Sequence, residues 1–208
     1  MQVVYILDIK DIEKNYERIL NVLPLSAVQK AEEFNEKDDK LRSVGGSLLI
    51  EAFTAKEPYF FGANGKPYKK EPPFFNISHS GDKVGIFLSS DGEVGFDIQL
   101  IKPQSEQLKN YIFSAEERLF INTDADFAKF WTMKEAAAKC AGTGIIALKK
   151  NPIIEITENS FVFKTEKFYY KTFILGGYAV CACSAEQVRA EILPISVEFV
   201  FKTLAKRV

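Results

Sequence analysis

Twice along this chain a block of helical periodicity gives way to a block of short strand-like runs, and few folds accommodate that order. The first block opens on MQVVYILDI, rich in Val, Ile and Tyr and read as a strand. Residues 11–20 read as helical, and LPLSAVQKAEEF as a further helix with Ser26 at its N-cap. A longer helix is predicted over Glu36 to Ala55, where Leu41, Val44, Leu48, Leu49 and Ala52 recur at helical spacing. Gly45 and Gly46 weaken its intrinsic propensity but allow a neighbouring element to approach closely. PYFFGANGKPYKKEPP, with Asn64-Gly65 and its prolines, reads as loop. FFNIS, KVGIFLSS and EVGFDIQLI read as strands, and Ser90-Asp91-Gly92 carries a hairpin signal. After the polar stretch IKPQSEQLKN the order repeats. FSAEERLFI and DFAKFWTMKEAAAKCAG read as helices, the second capped by Asp124 or Asp126 and ended by Gly142. PIIEIT and SFVFK, joined at Asn159-Ser160, then FYYKTFIL, GYAVCACS and AEILPI read as strands, and FVFKTLAKRV as a basic tail. The expectation is an α+β chain of two similar α/β lobes, 1–102 and 103–208, alike in architecture and not in sequence.

Composition excludes little and constrains partners more. The 208 residues, 47% of them hydrophobic, suffice for one large or two small cores. With a net charge of −1 nothing global argues for nucleic acid or an anionic membrane as partner, so any anion site must arise from local clustering. No apolar run is long enough to span a bilayer, and the N-terminus lacks a signal-peptide layout, so a cytoplasmic protein is expected. The three cysteines, Cys140, Cys181 and Cys183, do not suggest a disulfide framework. Cys181 and Cys183 share one face of an apolar strand and are expected to be core thiols.

Four clusters could carry chemistry. In VGFDIQ, Asp97 and Gln99 point to one side of a strand, and a carboxylate there is costly to bury unless paired or bound to a cation. A strand-end Asp reaching solvent is the plainer alternative. In FWTMKEAAAKCAGTGI, Trp131, Glu135 and Lys139 fall on successive turns of one helix face. Glu135 and Lys139 alone would make an ordinary surface ion pair, but Trp131 and the alanine run suggest partial burial. In FNISHSG, His79 is the sole histidine, set between Ser78 and Ser80 at a strand exit rich in donors suited to phosphate. In GKPY, Lys66 is by itself an unremarkable loop lysine. Together these groups could surround a polyphosphate and a divalent metal.

In these motifs, from about Leu25 to Leu148, the sequence resembles the 4′-phosphopantetheinyl transferases of the surfactin-synthetase-activating type. GKP at 65–67 and FNISHSG at 75–81 match, VGFDIQ stands where the family has V/I-G-I-D-I-E, and WTMKEAAAKCAGTGI is close to W-T-x-K-E-A-x-x-K-x-x-G-x-G. The resemblance implies a pseudo-dimer of two α/β lobes with coenzyme A in the cleft between them. It implies Asp97 and Glu135 as carboxylates for Mg²⁺, Glu135 also as general base, and Lys139 at the pyrophosphate or pantetheine end. It implies Lys66, Ser78 and His79 at the nucleotide, with His79 at the 3′-phosphate. Arg42, in KDDKLRSVGG, matches an arginine near the nucleotide, and Lys30 matches one of two upstream basic positions, the other being Ala27 here. One position departs: Gln99 stands where the subgroup often has a third carboxylate. A glutamine carbonyl can still serve a hard cation, with one charge fewer. A smaller, trimeric branch of the superfamily manages with fewer carboxylates.

The implied reaction is attack by a serine hydroxyl of an apo acyl or peptidyl carrier protein on the β-phosphate of coenzyme A, with 3′,5′-ADP leaving. The partners expected are the carrier protein and coenzyme A, acting on a monomer, with no nucleic acid and no membrane. Two rivals are a coenzyme A-binding protein without catalysis, for which Gln99 speaks, and an unrelated nucleotide-dependent phosphotransferase. The latter would need a loop such as GxxxxGK[ST], which the sequence lacks.

Overall fold

The structure is a computed structural model that describes residues 1–54, 59–62, 65–144, 148 and 151–206. Asn64, Ala55, Ile145 and the last two residues of the basic tail, all part of the expectations above, lie outside the described residues. The first half runs β1 (Gln2–Asp8), α1 (Ile9–Lys14), α2 (Tyr16–Leu20), α3 (Leu25–Glu32) and α4 (Lys37–Phe53), then β2 (Phe60–Phe61), β3 (Pro67–Tyr68), β4 (Phe74–Ser80) and β5 (Lys83–Ser89). The second runs β6 (Val94–Leu100), α5 (Glu106–Ile112), α6 (Ala115–Arg118), α7 (Asp124–Cys140), β7 (Ile153–Ile154), β8 (Ser160–Phe163), β9 (Glu166–Leu175) and β10 (Tyr178–Ser184). β11 (Glu191–Pro194) and α8 (Val197–Ala205) follow.

The α+β expectation holds, and the repeat is sharper in space than in sequence. One large sheet has the order β11-β1-β5-β4, the other β6-β10-β9-β8-β7, and β2 and β3 form a small ribbon of their own. Each contains an antiparallel trio, β1-β5-β4 and β6-β10-β9, and each trio carries one helix of 17 residues, α4 or α7. Alternation along the strands gives each of the two large sheets two apolar faces. Val3 and Leu7 of β1 with Val84, Ile86 and Leu88 of β5 pack under α4, while Val4, Ile6 and Phe87 turn the other way. There they meet Val94, Phe96, Ile98, Val180 and Ala182 of the second sheet. Cys181 and Cys183 face α7 as buried free thiols, as their spacing implied. The result is four layers, helix, sheet, sheet and helix. β6 is the edge strand of the second sheet, and β11 returns to pair in parallel with β1.

Several local expectations change. Ser90-Asp91-Gly92 joins no hairpin, because β5 pairs with β1 and β4 and β6 pairs with β10; the turn carries the chain from one sheet to the other. Ser26 lies inside α3, whose N-cap is Pro24. α7 is capped by Thr123, with Asp126 at N3 completing a capping box, so the acid supports the cap and is not itself the cap. Residues 11–20 break at Asn15 into two short helices, and most of FSAEERLFI is not helical. The polar stretch 101–110 and the basic tail, to which no element was assigned, overlap α5 and α8. Ser105 and Ser196 cap these two helices, a signal present in the sequence and overlooked there.

Candidate functional site

The site begins with the missing side chain at Gly95. A Cβ there would lie 1.8 Å from the Ala136 carbonyl oxygen and 2.7 Å from the Cys140 nitrogen. Only glycine lets α7 settle directly on β6, and that contact sets Glu135 and Lys139 beside Asp97. At Gly45 in α4 a Cβ would meet only side-chain tips, Ile12 at 2.3 Å and Val84 at 2.8 Å, a tight packing contact and not a backbone clash.

β4 closes the site from the other sheet. Its even positions turn toward the edge of β6. Asn76 Oδ1 accepts from the Phe96 amide at 2.8 Å and Ser80 Oγ from the Leu100 amide at 3.0 Å, which satisfies an otherwise bare strand edge. Between them Ser78 Oγ donates to Asp97 Oδ1 at 2.7 Å. His79 faces the opposite side and is exposed on the cleft wall, inside β4 and not beyond its end. Gly81, with φ +54°, makes the turn that follows.

All nine residues singled out in the sequence line one cleft of about 980 Å³: Lys30, Arg42, Lys66, Ser78, His79, Asp97, Gln99, Glu135 and Lys139. The cleft draws on both sheets and on α3, α4 and α7. At one end Lys30 Nζ sits 5.6 Å from the centre of the Phe61 ring. Arg42 donates to the Gly81 carbonyl at 2.5 Å and to Asp39 at 2.6 Å, so it is held against the turn that follows β4. Lys66 pairs with Glu93 at 3.1 Å and donates to the Val94 carbonyl at 3.3 Å. Desolvation, and then the Arg42 and Lys139 cations, hold the His79 imidazole below its ordinary pKa. An anion bound there would raise it again.

At the other end lie the carboxylates. Lys139 does not pair with Glu135 four residues before it, as a surface pair would. Its ammonium donates to Asp97 Oδ1 at 2.6 Å, to Ser78 Oγ at 3.0 Å and to the Phe96 carbonyl at 3.2 Å. Among the described residues, two buried side-chain polar atoms lack a hydrogen-bond partner: Asp97 Oδ2 and Glu135 Oε1. Burial, then repulsion by Asp97, pushes the Glu135 carboxyl up to about 7, against the pull of Lys139. Two orphaned oxygens on adjacent acids form a donor set that fits a hard divalent cation. Gln99 lines the same cleft. Its amide nitrogen donates to the Leu100 carbonyl at 3.2 Å, so the oxygen is the end available to a cation. No group of three His, Cys, Asp or Glu gathers as a metal site among the described residues, in keeping with an amide at position 99.

Three participants, Asn76, Glu93 and Asp39, were not anticipated, and Ser80 was anticipated only as a donor beside His79. Asn76 and Ser80 look like ordinary strand polar residues until β6 is placed beside them. Glu93 and Asp39 are partners of Lys66 and Arg42 only through the fold.

Comparison with known proteins agrees with these motifs. Residues 93–187 match the model of the 4′-phosphopantetheinyl transferase superfamily. The chain is 37% identical over 108 residues to the 4′-phosphopantetheinyl transferase AcpT of Salmonella typhi, covering 47% of this chain and 56% of that protein. It is 33% identical over 155 residues to the 4′-phosphopantetheinyl transferase psf-1 of Bacillus pumilus, covering 67% and 66%. A third relative, the 4′-phosphopantetheinyl transferase gsp of Aneurinibacillus migulanus, is 28% identical over 165 residues, covering 70% and 69%. The match thus spans just over half the length of AcpT. Through residues 93–187, which hold Asp97, Gln99, Glu135 and Lys139, this chain belongs to the 4′-phosphopantetheinyl transferase superfamily.

Proposed function

We propose that this chain transfers the 4′-phosphopantetheine arm of coenzyme A to a serine of an apo acyl or peptidyl carrier protein, releasing 3′,5′-ADP. The observation that carries the reading is the pair of orphaned oxygens, Asp97 Oδ2 and Glu135 Oε1, beside Lys139 at one end of a cleft whose other end is cationic. A nucleotide with a 3′-phosphate suits Lys30, Arg42, Lys66 and His79, and a diphosphate suits the Lys139 end. Two lobes, 1–102 and 103–208, with the ligand between them, belong to the same proposal, as does a monomer in the cytoplasm. No described helix is long and apolar enough to cross a membrane.

Asp97 and Glu135 would hold Mg²⁺, with Gln99 as a neutral third donor. A divalent cation there supplies charge neutralisation for the diphosphate. The chain's own residues do the rest. Lys30, Arg42, Lys66 and His79 fix the nucleotide and so align the β-phosphate for in-line attack. Lys139 adds a positive charge where negative charge moves toward the leaving oxygen. Glu135, raised to about 7, is poised to take the proton of the attacking serine hydroxyl near neutral pH. The test is mass spectrometry of several apo carrier proteins incubated with this protein, coenzyme A and Mg²⁺. A gain of one phosphopantetheine supports the reading. No gain on any carrier, with coenzyme A still bound, would leave a binding protein without transferase activity.

A further inference from the structure

We infer that Ser78 is a positioning residue for Asp97 and Lys139, and that it does not hold the nucleotide. The inference goes beyond the transferase reading and rests on it only for the identity of the ligand in one arm of the test. A serine hydroxyl has one proton to give. Ser78 is buried and directs that proton to Asp97 Oδ1 at 2.7 Å, while one lone pair receives Lys139 Nζ at 3.0 Å. A phosphate needs donors, and the hydroxyl has none left to offer. The direction of the side chain is also set by the strand. Ser78 lies midway between Asn76 and Ser80, which bind the β6 backbone at 96 and 100, so period-two geometry aims it at residue 97. His79, one position on, points the opposite way into the cleft, and the neighbouring pair therefore divides two tasks. With Oδ1 held by Ser78 and Lys139, the Asp97 carboxylate is locked in the rotation that leaves Oδ2 open.

Partners of a metal-binding carboxylate commonly change affinity by ten- to a hundredfold when removed. The full chain should therefore be titrated with Mn²⁺, following free Mn²⁺ by electron paramagnetic resonance, and separately with coenzyme A in the absence of metal, by calorimetry. Ser78→Ala should bind Mn²⁺ roughly tenfold more weakly, on the scale of one lost hydrogen bond to a charged group. Ser78→Thr, which keeps the hydroxyl, should recover most of the loss, and Ser78→Ala should add nothing in an Asp97→Asn background. Ser80→Ala removes a neighbouring stitch without touching the carboxylate and should leave Mn²⁺ binding unchanged. Metal-free coenzyme A affinity should stay within about twofold in Ser78→Ala. Unchanged Mn²⁺ binding with weakened coenzyme A binding would overturn the inference and make Ser78 a ligand contact. Absence of Mn²⁺ binding in the unmodified protein would overturn it as well. Neither titration requires turnover, so failure to modify any carrier protein would remove the transferase reading and leave the Ser78 result standing.

Discussion

Helix α7 carries two lysine–carboxylate clusters five residues apart, and they are opposites. Lys134 and Glu117 are sealed, 1% and 2% exposed, and every charge is answered. Lys134 Nζ donates to Glu117 Oε2 and to the Ile112 carbonyl, and Glu117 also accepts from the Ser114 and Ile153 amides. Lys139, with Asp97 and Glu135, opens on the cleft and leaves two acid oxygens without a partner. A fully paired buried ion pair fixes α5, α6 and α7 relative to one another. A half-paired cluster keeps binding capacity for something else, at a cost the rest of the fold must offset. The neighbours Lys134 and Glu135 thus belong to different functions.

The strongest way to break this contrast is to open the sealed pair. Glu117→Ala leaves Lys134 charged and buried, and should cost about 3–5 kcal/mol in urea unfolding. The protein that remains folded should transfer phosphopantetheine nearly normally. Comparable activity loss and stability loss would mean that the two clusters are coupled.

Next in size is the open cluster itself. Glu135→Gln keeps shape and removes the charge and the base, so turnover should fall at least about a hundredfold with the fold intact by circular dichroism. Asp97→Asn should behave similarly. Near-normal turnover at saturating Mg²⁺ would remove Glu135 from its assigned role.

The same acid gives a pH signature in metal-free protein. Burial and Asp97 push its carboxyl up to about 7 in the folded state, from an ordinary 4.5 in the unfolded chain, so the folded state binds the proton more tightly. The favourable protonated contribution is present below about 4.5 and lost as pH rises through about 7. Glu135→Gln should therefore be the more stable protein at pH 8 with chelator present, by about 2 kcal/mol, and the difference should shrink toward pH 5. Thermal unfolding at both pH values decides it. A difference independent of pH would point to packing instead of charge.

The smallest effect is expected at Gln99. Gln99→Glu adds a negative charge beside Asp97 and Glu135. Coulomb attraction to a divalent cation favours it, and repulsion between the acids offsets part of that gain. Activity measured against Mg²⁺ concentration should shift a few-fold to lower metal, with little change at saturation. An unchanged or weakened metal dependence would place residue 99 outside the metal site.

Sequence patterning was enough to show the repeated helix-to-strand order and the core thiols of β10, because each rests on local periodicity, whereas the nine cleft residues came from short motifs and, for Lys30 and Arg42, from the family resemblance alone. α5 escaped because its surface is polar and its cap a single serine, and α8 because the basic residues at the chain end drew attention from the apolar face of Val197, Val200, Phe201 and Leu204. The hairpin expected at Ser90-Asp91-Gly92 failed for a different reason. A turn signal states that the chain bends, and only the partners of β5 and β6 decide whether the bend joins two strands or two sheets.

By itself, the sequence determined which residues could carry charge chemistry and that Asp97 and Gln99 share a face. It set Lys139 on one helix face with Trp131 and Glu135, but not which acid Lys139 or its neighbour Lys134 would meet. Tertiary structure made that decision. Gly95 admits α7 against β6, so Lys139 meets Asp97 while Lys134 turns to Glu117. Ion pairing depends on distance and on the loss of water around both partners, and for groups 17 or 42 positions apart neither is set until the chain has packed.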